Sequence, residues 1–234
     1  MLLSCRNLTL KYPHNDHPVL ENLCFEITSP GLHALFGHSG AGKTSLARLI
    51  TGELPHSDKF YSGEIKIRNM ETLLYSYNTE RLPGWSAISH HLDKITPASR
   101  KTQKDDLITL FGLETCMDQP FNRLSLGQKN RINLVRYLVQ DFDLLVMDES
   151  LANVDERTRE KIILRIKDMF PDTYFLYISH NVIEVSKFCR EILVFRNPRK
   201  LPQVLTVNGQ DHKLGQSVAK DQLEQIMLEI MHAS

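Results

Sequence analysis

Hydrophobic and polar positions along the chain repeat with two periods, one typical of strands and one typical of helices. Apolar residues alternate loosely with polar ones from Leu2 to Leu10 and from Val19 to Thr28, which predicts two antiparallel strands joined by the turn from Pro13 to Pro18. The stretch from Gly63 to Arg68 alternates in the same way and predicts another, half-exposed strand. Continuous apolar runs predict three more strands: Leu144 to Met147, Tyr174 to Ile178 and Ile192 to Phe195.

The middle of the chain, from about Asn69 to Pro120, loses the strand pattern and predicts a small inserted helical lobe, with its clearest helix from Lys104 to Leu113. Helical spacing also occurs from about Arg157 to Met169 and from Val182 to Phe188, between the apolar runs. This alternation predicts a parallel sheet flanked by helices. The end, from Ser217 to Met231, has the spacing of an amphipathic helix, and packing on its own domain is favoured over binding a partner.

The residues from Gly37 to Thr44 are a full match to the phosphate-binding loop pattern of Gly, four residues, Gly, Lys and then Ser or Thr. The loop lies between a predicted buried strand at Leu32 to Phe36 and a predicted helix at Thr44 to Thr51, so a bound anion would meet the positive end of the helix dipole. Lys43 is expected to reach the β- and γ-phosphates, and Thr44 to ligate Mg²⁺. The residues expected to bind nucleotide here are Gly37, His38, Ser39, Gly40, Ala41, Gly42, Lys43, Thr44 and Ser45. The loop therefore predicts that the chain binds a nucleoside triphosphate.

Composition and charge exclude several other classes of protein. The chain has 234 residues, of which 41% are hydrophobic, enough for the core of one large domain or two small lobes. Lys plus Arg and Asp plus Glu each number 28, so the formal charge is zero and nucleic acid is not an expected partner. The four cysteines form no Cys-x-x-Cys pair, which argues against a structural zinc site and fits free thiols in a reducing cytosol. No apolar run reaches about 18 residues, so we expect that the chain does not span a membrane itself and that any membrane role needs a partner chain.

Two acids follow the predicted strand at Leu144 to Met147. Asp148 can hold Mg²⁺ directly or through water, and Glu149 can orient and polarise an attacking water. An Asp-Glu pair after a strand is weak evidence when it stands alone, because acids often begin solvated turns. With the phosphate loop upstream, the pair is interpreted as part of the same catalytic site.

The sequence Leu-Ser-Leu-Gly-Gln from Leu124 to Gln128 lies between the phosphate loop and the acids, just before a helical stretch. It resembles the signature motif of the ATP-binding cassette (ABC) ATPases, which is usually Leu-Ser-Gly-Gly-Gln. In that family, the serine hydroxyl and the amides of the helix N-terminus bind the γ-phosphate held by a second, facing subunit, and a helix N-terminus is a good anion site. Leu126 replaces the usual glycine and adds bulk near the nucleotide interface. Ser125, Gly127 and Gln128 are retained, so the motif is expected to work.

Three further residues resemble elements of this family, in the same order along the chain. Tyr12 lies where the family has an aromatic ring that stacks on adenine, and the alternative is an exposed tyrosine at the end of a strand. The stretch from Ser150 to Asp155 resembles the loop that crosses the dimer interface, with Asp155 in its final position. His180 follows a predicted strand and resembles the switch histidine that contacts the γ-phosphate.

One expected element of the family is missing. The family normally carries a glutamine on a loop before the helical lobe, where it senses Mg²⁺ and water and meets the membrane partner. The stretch from Pro83 to His91 contains no glutamine, and Gln103 lies too far along the chain. Either the coupling differs from the family norm, or one of three nearby residues takes this place: Ser89, His90 or His91. The interval to the signature motif is also shorter than usual, which implies a trimmed helical lobe.

The resemblance implies an α/β fold: a phosphate-loop ABC ATPase with a mixed or parallel sheet core, an N-terminal antiparallel β subdomain and a shortened helical subdomain. We expect a single ABC ATPase domain over residues 1–234. Within it, residues 1–82 and 129–200 are expected to form the core with the antiparallel subdomain, and residues from about 83 to 128 the helical signature subdomain. Residues from about 201 to 234 are expected to form a C-terminal extension that contains the amphipathic helix.

The resemblance also implies an ATPase that converts ATP and water to ADP and phosphate, with Mg²⁺ as cofactor. Catalytic roles fall to Lys43, Glu149 and His180, and Mg²⁺ ligation falls to Thr44 and Asp148. Such a subunit dimerises head to tail with a second ABC ATPase subunit, identical or different, and powers transport through a separate integral membrane permease. A free-standing ATPase favours a bacterial importer, with the chain on the cytoplasmic face of the cell membrane.

Two other functions remain as alternatives. A soluble ABC ATPase without a permease would act as a regulatory or assembly module on a protein partner, and the missing glutamine and trimmed lobe are the reasons to consider it. A phosphate-loop kinase would need an acceptor site for a small molecule, and it leaves the signature motif and His180 unexplained.

Overall fold

The computed structural model describes residues 2–13, 15–55, 60–78, 80, 84, 86–197 and 200–233. Within these residues, nine strands form a three-stranded antiparallel sheet and a six-stranded mixed sheet, and seven α-helices accompany them. The strands are β1 (Leu2–Leu10), β2 (Leu20–Ile27), β3 (Gly31–Gly37), β4 (Tyr61–Arg68), β5 (Leu73–Tyr77), β6 (Leu144–Asp148), β7 (Tyr174–Ile178), β8 (Glu191–Phe195) and β9 (Val204–Asn208). The helices are α1 (Lys43–Ile50), α2 (Ile88–Ile95), α3 (Lys101–Leu110), α4 (Leu126–Leu138), α5 (Glu156–Met169), α6 (Val182–Phe188) and α7 (Lys220–Ala233). The predicted α/β fold is confirmed.

The small sheet consists of the strands predicted at the start of the chain. β1 lies in the centre and pairs antiparallel with β2 on one side and with β4 on the other. Buried residues Leu3 and Cys5 are followed by Leu8 and Leu10, so the apolar period of β1 slips by one residue. The register of β1 with β2 shifts at the same point, between Cys5 and Leu8. A bulge of this kind explains why the alternation in the sequence is loose. The extra residue changes the phase of the strand, so Leu8 and Leu10 return to the face that carries Leu3 and Cys5.

The large sheet has the strand order β5-β6-β7-β3-β8-β9. Every neighbouring pair is parallel except β8 and β9, which are antiparallel. Parallel strands end at the same edge of a sheet, and ligands of such folds bind at that edge. The ends of β3, β6 and β7 therefore bring the phosphate loop, the two acids and His180 to one side of the molecule.

The large sheet separates two hydrophobic clusters. Successive side chains of a strand point to opposite faces, and β6 shows this clearly. Leu144 and Val146 belong to the cluster that contains α1 and the antiparallel sheet, while Leu145 and Met147 belong to the cluster that contains residues of α2 to α7. Ile226 of α7 lies in the second of these clusters, so the terminal helix packs on its own domain, as predicted.

The structure corrects the elements predicted for the middle and end of the chain. β5 lies where the strand pattern was expected to be lost: Leu73 and Tyr75 pack on one cluster and Leu74 on the other, so this short strand has apolar residues on both faces and shows no polar alternation. α2 and β9 were not predicted as separate elements, and α3 ends at Leu110 rather than Leu113. His14 of the predicted turn lies outside the described residues, as do Pro83 and Trp85 of the stretch in which the glutamine was expected.

Candidate functional site

A cleft of about 720 Å³ opens at the carboxyl edge of the large sheet. It brings together parts of the chain that are far apart in sequence: the phosphate loop, the end of β5, the acids after β6 and the residue after β7. The residues that line it are Tyr12, Asn15, Val19, Ser39, Gly40, Gly42, Lys43, Thr44, Ser45, Arg48, Tyr75, Tyr77, Asn78, Asp148, Glu149, Ile178 and His180. Three predicted loop residues do not line it: Gly37, His38 and Ala41.

The phosphate loop has a conformation that requires glycine at two positions. Gly37 has a φ of +147°, and a Cβ on it would lie 2.6 Å from the carbonyl oxygen of Phe195. Gly42 has a φ of +92°, and a Cβ on it would lie 2.5 Å from Cδ2 of Leu20. Only glycine enters these regions without strain and without a clash. The chain can therefore leave β3 and enter α1 at Lys43 within one tight turn.

Lys43 is held inside this turn. Its Nζ donates hydrogen bonds of 2.8 Å to the carbonyl oxygens of Gly37 and His38, which is the role of those two residues in the loop. Burial lowers the pKa of the Lys43 ammonium, and the negative charges of Asp148 and Glu149 partly oppose that shift. An anionic phosphate in the cleft would provide a further counter-charge for the buried ammonium.

Asp148 accepts two hydrogen bonds at the same carboxylate oxygen. Thr44 Oγ1 donates to Asp148 Oδ2 over 2.8 Å, and the hydroxyl of Tyr75 donates to the same atom over 2.7 Å. The two predicted Mg²⁺ ligands are thus adjacent, and hydroxyl and carboxylate oxygens are the kind of ligand that Mg²⁺ binds. Burial and the hydrogen bond to Asp148 raise the pKa of the Tyr75 hydroxyl far above its ordinary value, so this hydroxyl stays a donor.

Glu149 and His180 meet on the open side of the cleft. Oε1 of Glu149 lies 2.9 Å from Nε2 of His180, and the two side chains are 42% and 44% exposed. Glu149 has a φ of +51°, a left-handed conformation that is uncommon for a residue other than glycine. Such conformations cost energy and persist only where the surrounding structure holds them, and they are found most often at functional sites. The pair therefore combines a carboxylate that water can reach with a histidine bound directly to it.

Tyr12 lies on the cleft, as the resemblance implies. Its hydroxyl donates a hydrogen bond of 3.1 Å to Oγ of Ser45, and its ring packs on the cluster below the antiparallel sheet. The side chain is therefore anchored beside α1 rather than free at the end of a strand. Stacking of this ring on adenine stays a prediction.

The signature motif forms the beginning of α4, and none of its residues lines the cleft of the same chain. Ser125 is the N-cap: its Oγ accepts from the backbone N–H of Gln128 over 3.2 Å, and Oε1 of Gln128 accepts from the N–H of Ser125 over 2.8 Å. This reciprocal capping box satisfies two backbone donors at the helix end. Leu126 is 61% exposed. A Cβ on Gly127 would lie 3.3 Å from the carbonyl oxygen of Asn153, so the motif packs closely on the loop after the acids.

Asp155 has a comparable local role at the start of α5. Its carboxylate accepts a hydrogen bond of 3.0 Å from the backbone N–H of Thr158, and this bond lowers the pKa of the Asp155 carboxyl. The residue is exposed and lies outside the cleft. The structure shows Asp155 as a helix cap, and its contact across a dimer interface stays a prediction.

Asn78 is a cleft residue that the sequence did not predict. It directly follows β5, and its Oδ1 accepts hydrogen bonds from Nδ2 of Asn130 on α4 and, over 3.4 Å, from Nδ2 of Asn153. Asn78 therefore connects the cleft to the helix that carries the signature motif and to the loop after the acids. The available signal was a polar residue directly after the short apolar run of β5. The three residues proposed in place of the missing glutamine lie on α2 and do not line the cleft: Ser89, His90 and His91.

Comparisons with known proteins identify the family. The family model described as ABC transporter matches residues 20–152, more than half of the chain. The chain belongs to the ABC transporter family. This ABC family member is 30% identical over 188 residues to the molybdenum import ATP-binding protein ModC of Aromatoleum aromaticum, in an alignment that covers 73% of this chain and 50% of that protein. It is 28% identical over 219 residues to the protein of the same name from Saccharophagus degradans, covering 85% of this chain and 60% of that one.

The solved structures similar to this ABC family member agree on the fold. An ATP binding subunit of an ABC transporter superposes with a TM-score of 0.78 at 19% identity, covering 99% of this chain and 100% of that one. A dimeric ATP-binding cassette in a post-hydrolysis state with ADP and Pi superposes with a TM-score of 0.68 at 19% identity, covering 82% and 93%. The predicted ABC-type ATPase family and fold are confirmed. The chain spans about half the length of the first curated relatives it matches, at 50% of each. Among the described residues, no helix has both the length and the apolar character needed to cross a bilayer.

Proposed function

We propose that this chain hydrolyses ATP to ADP and phosphate and that the reaction drives transport of a substrate through a separate permease. The observation that carries the proposal is the cleft in which Lys43, Asp148 and Glu149 come together on one edge of the sheet. These groups provide a cation for the phosphates, a carboxylate for a metal ion and a second carboxylate for water. Membership of the ABC transporter family supports ATP as the nucleotide.

The residues at the centre of the cleft fit Mg²⁺. Thr44 Oγ1 and Asp148 Oδ2 are hard oxygen donors that lie 2.8 Å apart. The described residues contain no cluster of three or more His, Cys, Asp and Glu side chains that could hold a metal ion. Two protein oxygens supplemented by phosphate and water are the usual environment of Mg²⁺ beside a nucleotide. When bound, the ion would neutralise part of the charge of the transferring phosphoryl group.

The other side chains of the cleft divide the remaining work. Lys43 binds the terminal phosphates, because its buried ammonium lies at the base of the phosphate loop. Glu149 orients a water molecule for attack, and its partial exposure gives water access to the carboxylate. His180, bound to Glu149, holds that carboxylate in place and contacts the γ-phosphate.

The position of the signature motif supports a shared site. Ser125, Gly127 and Gln128 lie outside the cleft of their own chain, together with Asp155. This is the arrangement expected if these residues complete the cleft of a facing subunit, since the capped N-terminus of α4 is a ready anion site. We therefore infer a head-to-tail dimer, formed with a second copy or with a different ABC ATPase subunit. Exposed Leu126 would lie at its interface.

Asn78 is our candidate for the role of the missing glutamine. It lines the cleft directly after β5 and accepts a hydrogen bond from Asn130 of the signature helix. A change at the nucleotide would reach α4 through this contact. The proposed helical signature subdomain, from about residue 83 to 128, would carry that change to the permease.

Import is the proposed direction of transport, because the curated relatives are named as molybdenum import ATP-binding proteins. The proposed partners are integral membrane permease subunits. The proposed location is the cytoplasmic face of the cell membrane, where ATP is available and the permease would hold the chain.

The catalytic part of the proposal is tested with Glu149→Gln, which removes the charge and keeps the size of the side chain. We expect ATP binding to remain, hydrolysis to fall by about 100-fold or more, and an ATP-bound dimer to accumulate. Calorimetry measures ATP binding, phosphate release measures hydrolysis, and sizing chromatography with and without ATP measures the dimer. Glu224→Gln, at an exposed position of α7, is the matched control and should behave as the unmodified chain. Near-normal hydrolysis by Glu149→Gln would contradict the assignment.

The transport part is tested by recovery of a tagged chain from its native membranes under gentle detergent. An integral membrane protein that co-purifies in a fixed ratio supports the permease. A dimeric ATPase that instead recovers only a soluble partner would favour the alternative of a regulatory or assembly module.

A further inference from the structure

Tyr75 makes a contact in the cleft that the proposed mechanism does not use. Its hydroxyl donates over 2.7 Å to Oδ2 of Asp148, the oxygen that also accepts from Thr44. We propose that Tyr75 is a positioning residue for metal binding, which orients the Asp148 carboxylate toward the Mg²⁺ of the nucleotide. This inference rests on the proposed role of Asp148 as a Mg²⁺ ligand.

The ring of Tyr75 is fixed independently of any ligand. Tyr75 is 5% exposed and belongs to the hydrophobic cluster on the α1 face of the sheet. It is paired with Val146 in the parallel register of β5 and β6, and its ring stacks on Tyr77 with 5.6 Å between the centroids. Its hydroxyl therefore occupies a defined point beside the end of β6.

The two hydroxyl groups that donate to Asp148, those of Thr44 and Tyr75, have different proposed roles. In the proposed site, Thr44 also presents an oxygen lone pair to the metal ion, whereas the Tyr75 hydroxyl donates its hydrogen bond to the carboxylate. Both donors contact Oδ2, so two hydrogen bonds from different elements fix the orientation of a carboxylate that lines the cleft. A carboxylate held in this way loses little rotational freedom when it binds a metal ion directly or through water. Hydrogen bonds to metal-binding carboxylates typically change metal affinity by about 10- to 100-fold.

The test uses Tyr75→Phe, which keeps the ring in the core and removes only the hydroxyl. ATP binding is measured by calorimetry over a series of Mg²⁺ concentrations and in EDTA, and Mn²⁺ binding to the ATP complex is measured by electron paramagnetic resonance. We expect unchanged ATP affinity in EDTA, and about 10-fold more Mg²⁺ for the half-maximal effect. Binding of Mn²⁺ should weaken by a similar factor.

The matched control is Tyr137→Phe. Tyr137 donates hydrogen bonds of 2.8 and 2.9 Å to the carboxylate of Glu80 and lies outside the cleft, so its loss tests the removal of an equivalent contact. The control should keep the Mg²⁺ dependence of the unmodified chain. A Tyr75→Phe variant with that same dependence, or one whose ATP affinity falls equally in EDTA, would overturn the positioning role. If the unmodified chain showed no effect of Mg²⁺ on ATP binding, the proposed function itself would fail, which is a distinct result.

Discussion

Ser125 combines a structural contact seen within the chain with a catalytic contact proposed between chains, and two substitutions separate them. Ser125→Ala removes the Oγ that accepts from the N–H of Gln128 over 3.2 Å. Ser125→Asp supplies another acceptor for that N–H and places a negative charge where the helix dipole favours it. The same charge would repel the γ-phosphate of a facing subunit.

The size of the structural effect follows from the cap. Loss of an N-cap serine costs about 1 kcal/mol of folding stability. For a chain of this length, 1 kcal/mol corresponds to a fall of about 2–4 °C in the unfolding temperature. We therefore expect Ser125→Ala to unfold about 2–4 °C lower and Ser125→Asp to unfold near the temperature of the unmodified chain.

The functional effect should have the opposite order. Ser125→Asp should bind ATP in its own cleft, because Ser125 does not line that cleft, but it should neither dimerise with ATP nor hydrolyse it. Thermal unfolding followed by circular dichroism, phosphate release and sizing chromatography make the comparison. Mixing Ser125→Asp with Lys43→Ala should restore one composite site and part of the activity. Normal hydrolysis by Ser125→Asp, or no recovery in any mixture, would refute the shared site.

Two further predictions concern single side chains. Asn78→Ala should lower the free energy of unfolding by about 1–3 kcal/mol in a urea titration, because the amide of buried Asn130 loses its acceptor. Asn78→Asp keeps an acceptor for that amide, so its free energy of unfolding should fall by less. Burial and the nearby charge of Arg136 hold the pKa of His91 below its ordinary value, so protonation favours the unfolded state. The free energy of unfolding is therefore unaffected by His91 above about pH 6.5, where the ring is neutral in both the folded and the unfolded state. It decreases as the pH falls from there toward the lower pKa of the folded state, because the unfolded state binds the proton first. His91→Gln should reduce the slope of the free energy of unfolding against pH below about pH 6.5, measured by urea titrations at several pH values. An unchanged slope would contradict a lowered pKa for His91.

The sequence predicted those parts of the site that are contiguous along the chain. Gly37 and Gly42 both have a positive φ that glycine adopts without strain, so the pattern of the phosphate loop can be recognised in the sequence without a structure. The capping box of Ser125 and Gln128 is likewise formed within one helical turn. Such short-range requirements determine residue types and spacing directly, so they can be predicted from the sequence.

The parts that were missed depend on pairing between distant strands. β5 has apolar residues on both faces, so periodicity could not distinguish it from the helical lobe. The pairing of β5 with β6 places Tyr75 against Asp148 and Asn78 in the cleft, and this pairing was not predicted. For the same reason, the glutamine of the family was expected further along the chain, between Pro83 and His91.

The position of β3 in the large sheet has a consequence for the order in which the chain becomes functional. β3 carries the phosphate loop, yet its two neighbours are β7 and β8, which a ribosome synthesises much later. Long-range pairings of this kind form slowly, because the entropy of closing a long loop is lost before any stabilising contact forms. A nascent chain that has emerged only as far as β6 would contain the complete phosphate loop but lack both strands that support it. Binding of ATP would then require that β7 and β8 have been synthesised and have paired with β3, and the nucleotide would stabilise only molecules that have reached this stage.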